Sequence, residues 1–312
     1  MNLYLVTGGA GFIGSHIVDK LVQLGEKVRV IDNFVTGKKE NLAKSINKIE
    51  LINGDIRDGK KLQVALKGVD FVLHQAALRS VPRSVDDPIS TNNVNITGTL
   101  LLLEYARRYK VKRVVYASSS SVYGDNPELP KKETDSLSPI SPYAVSKLAG
   151  EYYCSMYTKL YGLGTISLRY FNVFGPRQDP SSQYAAVVPK FIELAFKNKP
   201  LEIHGDGLQS RDFSYIDNVV SANLLAAKSK KGIGEVFNIA CGEKYTILDI
   251  AETISEITGR RLKYRHATSR KGDVRHTLAD ISKAKKMLGY KPITNFEEGM
   301  RRTVEYFELS YE

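Results

Sequence analysis

The chain has 312 residues, a formal net charge of +11, 42% hydrophobic and 25% charged side chains. That composition suits one large globular domain or two closely joined ones, and no apolar run approaches the roughly 18 residues needed to span a bilayer. The basic residues are scattered as doublets such as Lys38-Lys39, Lys60-Lys61 and Arg301-Arg302, which predicts a solvated basic surface and no nucleic-acid site. Cys154 and Cys241 show no CxxC spacing and the histidines never pair at ligand spacing, so no metal is expected and a reducing, cytoplasmic setting is. Met1 leads straight into the first apolar run, which predicts no signal peptide ahead of the fold.

In chain order, apolar runs fall at Leu3–Thr7, Val28–Ile31, Ile49–Ile52, Phe71–His74 and Arg113–Ala117. Segments of 3.6 period, such as Ile13–Leu24 and Thr97–Tyr109, separate them. Strands alternating with helices predict a doubly wound, Rossmann-type parallel α/β sheet. A helix over Pro142–Tyr161 and a strand over Thr165–Tyr170 extend it. Past about residue 172 the strands shorten and the loops lengthen, with no linker between the halves. The expected division is a nucleotide-binding part over 1–171 and a smaller mixed α/β part over 172–312, mainly for substrate, with the chain crossing back to the sheet.

The first turn reads Thr7-Gly8-Gly9-Ala10-Gly11-Phe12-Ile13-Gly14, a GxxGxxG spacing. Glycines there serve a tight turn, a close approach of backbone to pyrophosphate, and close packing of helix on strand. Alone, such a loop can be an ordinary turn. Asp32, closing the second predicted strand, adds a carboxylate for ribose hydroxyls and would repel a 2′-phosphate, so NAD is expected in preference to NADP. Asp55 and Ile56 close the third strand, where an adenine edge would lie.

Ala117-Ser118-Ser119-Ser120-Ser121-Val122-Tyr123-Gly124 puts a run of hydroxyls at a strand tip. Downstream, Ser141 can cap a helix that carries Pro142 in its first turn. Tyr143 and Lys147, four apart, then share a face of that helix. Phenols titrate near pH 10, so Tyr143 needs help to act as a base; a lysine ammonium and an oxidised nicotinamide would both lower its pKa. By itself a YxxxK pair is common surface decoration. After a nucleotide-binding loop and a hydroxyl-tipped strand it reads as catalytic.

These motifs, with His74-Gln75-Ala76-Ala77, Asn95–Thr99, Leu168–Gly175, Gly205–Asp217 and Gly272–Asp280, resemble the extended short-chain dehydrogenase/reductases, most of all the UDP-sugar 4-epimerases. The resemblance covers nearly the whole chain. It implies an isomerase that uses NAD to oxidise a sugar at C4 to a 4-keto intermediate and to reduce it on the opposite face. It implies Ser119, Tyr143 and Lys147 as catalytic residues. The cofactor would meet Gly8, Gly11, Phe12, Ile13, Asp32, Asn33, Gly37, Asp55, Ile56, Gln75, Ala76, Ala77, Asn95, Tyr143, Lys147 and Tyr170. A UDP-sugar would meet Arg79, Ser80, Ser119, Ser120, Ser121, Tyr143, Asn172, Gln178, Ala186, Val187, Arg211, Arg270, Asp273 and Thr277, with Arg211 and Arg270 on the diphosphate. Ser120 and Ser121 would either face substrate or pack. Related dehydratases carry an Asp-Glu pair where this chain has Ser120-Ser121, so dehydration lacks its acid and base.

Thr277 falls where enterobacterial-type galactose epimerases carry a bulky tyrosine, and Arg177–Pro180 and Tyr184–Val187 resemble the branch acting on N-acetylated UDP-hexoses. That favours UDP-N-acetylglucosamine and UDP-N-acetylgalactosamine, with UDP-glucose and UDP-galactose also accepted. The alternatives are a UDP-glucose-only epimerase, another sugar-nucleotide enzyme such as a uronate epimerase, or a non-catalytic NAD-sensing scaffold. By resemblance the helices around Thr97–Tyr109 and Pro142–Tyr161 would pair two subunits in a homodimer.

Overall fold

Strands β1 (Leu3–Thr7), β2 (Lys27–Asp32), β3 (Ile49–Asn53), β4 (Phe71–His74), β5 (Arg113–Ser119), β6 (Thr165–Tyr170) and β7 (Val236–Ile239) form one sheet in the order β7-β6-β5-β4-β1-β2-β3. Every neighbouring pair is parallel. This is a computed structural model, in which residues 1–180, 186–268 and 275–311 are described. Parallel strands bury both faces, which is why the central runs carry apolar residues without alternation. Tyr4, Val6, Val30, Leu73 and Val115 feed one core; Leu5, Ile31, Val72 and Val114 feed the other.

Helices α1 (Phe12–Gln23) and α5 (Ile216–Lys228) cover the first face. Helices α2 (Gly59–Leu66), α3 (Gly98–Arg108) and α4 (Pro142–Tyr161) cover the second. Ser141 caps α4 through Ala144 N at 3.1 Å, Pro142 opens it, and Gly162 closes it at φ +71°. Ser141 and Pro142 are the start signals read in the sequence, and the left-handed glycine is a stop signal that the structure adds.

One segment departs from the expected helix Thr97–Tyr109. Helical backbone already begins at Pro88, capped by Asp87, and runs through a π-helical turn at Asn93–Thr97 into α3. Polar Asn92, Asn93 and Asn95 hide this start from any apolar periodicity. The C-terminal part adds helices Val187–Phe196, Ile247–Thr258 and Phe296–Glu308, with short strand pairs such as Leu201–His204 on Tyr264–Ala267. It also donates β7 to the main sheet.

Candidate functional site

The strand order reverses between β4 and β1, and the crevice beyond their carboxyl ends is where open α/β sheets bind ligands. The glycine loop shapes its floor. Gly8 has φ +67°, and a Cβ there would lie 2.7 Å from Ala76 N. A Cβ on Gly14 would lie 2.2 Å from Gly8 O, so α1 can seat against β1 only without a side chain at that position. Ser15 N donates to Gly11 O at 3.0 Å and Gly11 N to Gly8 O at 3.1 Å, which ties the turn to the first helical turn.

Asp32 is 7% exposed and accepts from Ala10 N at 2.9 Å and from Phe34 N at 2.8 Å. Burial raises its carboxyl pKa, while those two N–H donors pull it down. Asp55 is held well below the usual range, at about 2, chiefly by hydrogen bonds from the Arg57 guanidinium; Asn33 Nδ2 donates to it at 2.8 Å. A cavity of about 330 Å³ runs from these carboxylates to the carboxyl end of β5. Gly8, Gly11, Phe12, Ile13, Asp32, Asn33, Asp55, Ile56, Gln75, Ala76, Ala77, Tyr143, Lys147 and Tyr170 line it. This floor and its terminal carboxylates fit a dinucleotide: bare backbone where a pyrophosphate would lie, and a carboxylate at the end of β2.

Two residues expected on the cofactor, Gly37 and Asn95, do not line this cavity. Gly37 packs against Asp32, where a Cβ would come 2.9 Å from its Oδ1. Asn95, 1% exposed in the π-helical turn, accepts from Leu78 N at 2.8 Å and donates to Leu78 O and Ser146 Oγ, both at 3.0 Å. It holds the loop that carries Leu78, and Leu78 lines the cavity. Polar spacing alone could not separate touching the cavity from bracing it. Thr36, Arg57, Arg83 and Ser90 also line it and were missed; each sits on a loop or short helix.

A second cavity of about 620 Å³ adjoins the first, sharing Phe12, Ile13, Arg79, Ser118, Tyr143 and Tyr170. Its walls bring together Arg79, Ser80, Ser119, Ser120, Ser121, Asn172, Gln178, Ala186, Arg211 and Thr277 from both halves of the chain. Val187 does not line it: it opens the helix Val187–Phe196, one residue past Ala186. Arg270 and Asp273 lie outside the described residues. Lys131, 2% exposed, lines this cavity and went unread because a single lysine in a loop carries no pattern. Ser80 at φ +122° and Asn172 at φ +29° hold backbone that side chains rarely adopt, at roughly 1–3 kcal/mol each.

Tyr143 stands where the two cavities meet. Burial raises its phenol above the ordinary range, while a hydrogen bond from Ser119 and the charge of Arg79 pull it down. Lys147 Nζ donates to Ala117 O at 2.8 Å and lies 5.9 Å from the Tyr143 ring centre and 5.1 Å from that of Tyr116. The lysine is therefore fastened to the β5 backbone, not to the phenol, and burial lowers its pKa to about 8. One turn further along α4, Glu151 accepts from Ser118 Oγ and from Arg169 Nε at 2.9 Å and Nη2 at 2.7 Å. The pair is 3% and 2% exposed at the side chains, and the Arg169 guanidinium stacks 4.7 Å above the Tyr123 ring. Among the described residues no cluster of His, Cys, Asp or Glu could hold a metal ion, and no helix is long and apolar enough to cross a membrane.

A half-buried phenol with a serine partner, a buried lysine behind it, and a glycine-floored crevice ending in a carboxylate form one continuous site. The chain's similarities agree with that arrangement. The family described as NAD dependent epimerase/dehydratase matches residues 4–240. The UDP-glucose 4-epimerase of Mycolicibacterium smegmatis is 38% identical over 97% of both chains. The structure of UDP-glucose 4-epimerase with UDP-glucose from Thermotoga maritima has a TM-score of 0.95 and 42% identity, covering 99% of this chain and 100% of that one. The UDP-N-acetylglucosamine 4-epimerase of Methanobrevibacter ruminantium M1, solved with UDP-N-acetylmuramic acid, also has a TM-score of 0.95, with 43% identity and 99% of each chain covered. The chain belongs to the NAD-dependent epimerase/dehydratase family and, within it, to the UDP-sugar 4-epimerases.

Proposed function

We propose that the chain interconverts the C4 epimers of UDP-N-acetylhexosamines in preference, and of UDP-glucose and UDP-galactose as well. The observation that carries the preference is Thr277. It lines the substrate cavity as a small side chain, with Asn172 Nδ2 3.4 Å from its hydroxyl, so the wall there leaves room for an acetamido group that a large ring would fill. When bound, NAD supplies the acceptor that takes the hydride from C4 and returns it to the other face.

The chain's own residues do the rest of the chemistry. Tyr143 oxygen takes the proton of the C4 hydroxyl and gives it back, with Ser119 as its hydrogen-bond partner. Lys147 adds positive charge behind the phenol and orders the carboxyl end of β5 through Ala117. Asp32 would take the adenosine ribose, and the glycine loop the pyrophosphate. Arg211, positioned by Ser210 O at 2.9 Å and Arg275 O at 3.0 Å, would hold the UDP diphosphate while the sugar turns over. We also place in this reading a homodimer through α3 and α4, since Tyr152, Leu160 and Tyr161 are exposed on the outer side of α4. The unpaired cysteines suit a cytoplasmic setting.

Purified protein should epimerise UDP-N-acetylglucosamine and UDP-glucose without added cofactor. Thr277→Tyr should cut kcat/KM for the N-acetylated pair by about tenfold or more and spare the plain pair, the scale of a shape-based exclusion. Wild-type turnover confined to UDP-glucose, or to UDP-glucuronate, would replace this substrate assignment.

A further inference from the structure

The hydroxyls at the tip of β5 are not equivalent. β5 turns at Ser119 into a short 3-10 turn, Ser120–Tyr123, and Ser119 caps that turn. Ser119 Oγ accepts from Ser121 N at 3.2 Å and from Ser121 Oγ at 3.0 Å. A serine hydroxyl has two acceptor positions and one proton. Ser121 fills both acceptor positions, so the proton of Ser119 is left to point away, towards the cleft where Tyr143 stands. Ser120 lines the same cavity and makes no such bond to Ser119.

We propose that Ser121 is a positioning residue: it fills the lone pairs of Ser119 and obliges Ser119 to donate towards the Tyr143 oxygen. The proposal deepens the epimerase reading above and rests on it. Its chemical consequence is one-sided. A donor aimed at that oxygen stabilises phenolate, whereas a Ser119 free to rotate could accept from the phenol O–H and stabilise the neutral form. Ser119 thus acts on the base and is not itself the acceptor of the substrate proton. Arg79 from the loop after β4, Lys147 on α4 and Tyr116 on β5 are the other charged or titratable groups facing Tyr143. All of them stay in place when Ser121 is changed.

The test compares wild type, Ser121→Ala, Ser121→Thr and Ser120→Ala in the pH dependence of kcat on a UDP-hexose. Ser121→Ala should move the acidic limb to higher pH by about one unit, which is about a tenfold lower rate on that side. Ser121→Thr keeps both donors and should restore the limb. Ser120→Ala, whatever it does to turnover, should leave the limb where it was. Because turnover tests the function as well, ultraviolet titration of Tyr143 supplies an independent reading, taken as the difference between each protein and its Tyr143→Phe counterpart. The same upward displacement should appear there for Ser121→Ala. An unmoved limb and titration in Ser121→Ala, or an equal displacement in Ser120→Ala, would overturn the proposal. A wild type that titrates as expected but epimerises nothing would instead overturn the function.

Discussion

His74 closes β4 and is 1% exposed. Thr99 Oγ1 donates to Asn95 O at 2.6 Å, so it accepts from His74 Nε2 at 3.0 Å. Thr7 Oγ1 donates to His74 Nδ1 at 2.7 Å while accepting from Ala76 N at 3.2 Å. The imidazole is therefore a neutral bridge between the start of the glycine loop, the Gln75–Ala77 wall and the π-helical turn. Burial first, and the charge of Lys147 second, drive its pKa down to about 3. A folded pKa below the unfolded value near 6.5 means stability that is present above that value and is lost as pH falls towards the folded one. Between roughly pH 7 and pH 5 the unfolded ring takes up most of a proton and the folded ring almost none, a loss of about 2 kcal/mol. Against a total stability of about 5–15 kcal/mol that is easily measured. His74→Asn can still donate to one threonine and accept from the other but cannot titrate. Urea unfolding of wild type and variant at both pH values isolates the imidazole, because every other titrating group, Asp212 and His16 included, is common to both. The variant should lose about 2 kcal/mol less than wild type on acidification. Equal losses would refute the assignment of His74 as a buried neutral bridge.

Tyr143→Phe should lower epimerase turnover by about 10²–10⁴-fold, the range of a general base, while the purified protein still carries its NAD; product assay and cofactor content after denaturation measure the two separately. Glu151→Ala leaves Arg169 as a buried unpaired charge and should cost about 3–5 kcal/mol in urea unfolding. Glu151→Leu with Arg169→Met should recover most of that loss, since desolvating an ion pair offsets much of its attraction.

The sheet was legible because parallel strands must be apolar on both faces. Leu3–Thr7, Phe71–His74 and Thr165–Tyr170 have the same bounds in the structure as in the sequence reading, and β2, β3 and β5 differ by one or two residues at their ends. α4 matches at both ends because its signals are local: a serine cap, a proline in the first turn and a left-handed glycine after the last. The helical start at Pro88 has part of that support, a cap and a proline in its first turn. Asp87 is that cap, but the run that follows is polar, and the π-helical turn breaks the 3.6 period on which the reading depended.

The same distinction decides what could be read of the site. Its cofactor half is made largely of backbone, and backbone requirements mark the sequence directly: a Cβ at Gly8 or Gly14 meets main-chain atoms, so nothing else fits there. Its substrate half is assembled by side chains that arrive from separate elements, and their partners leave no mark at either end. Glu151 looked like another polar residue on a long helix, yet it is sealed between Ser118 of β5 and Arg169 of β6. Arg169 looked like a charge inside a strand motif, yet it stacks on Tyr123, whose hydroxyl donates to Asn238 of β7 at 2.6 Å. Through these contacts the helix bearing Tyr143 and Lys147 is fastened to β5, β6 and β7 at once. A phenol that burial raises, and that one serine and one arginine pull back down, needs such fastening, because a small displacement of α4 would lose both.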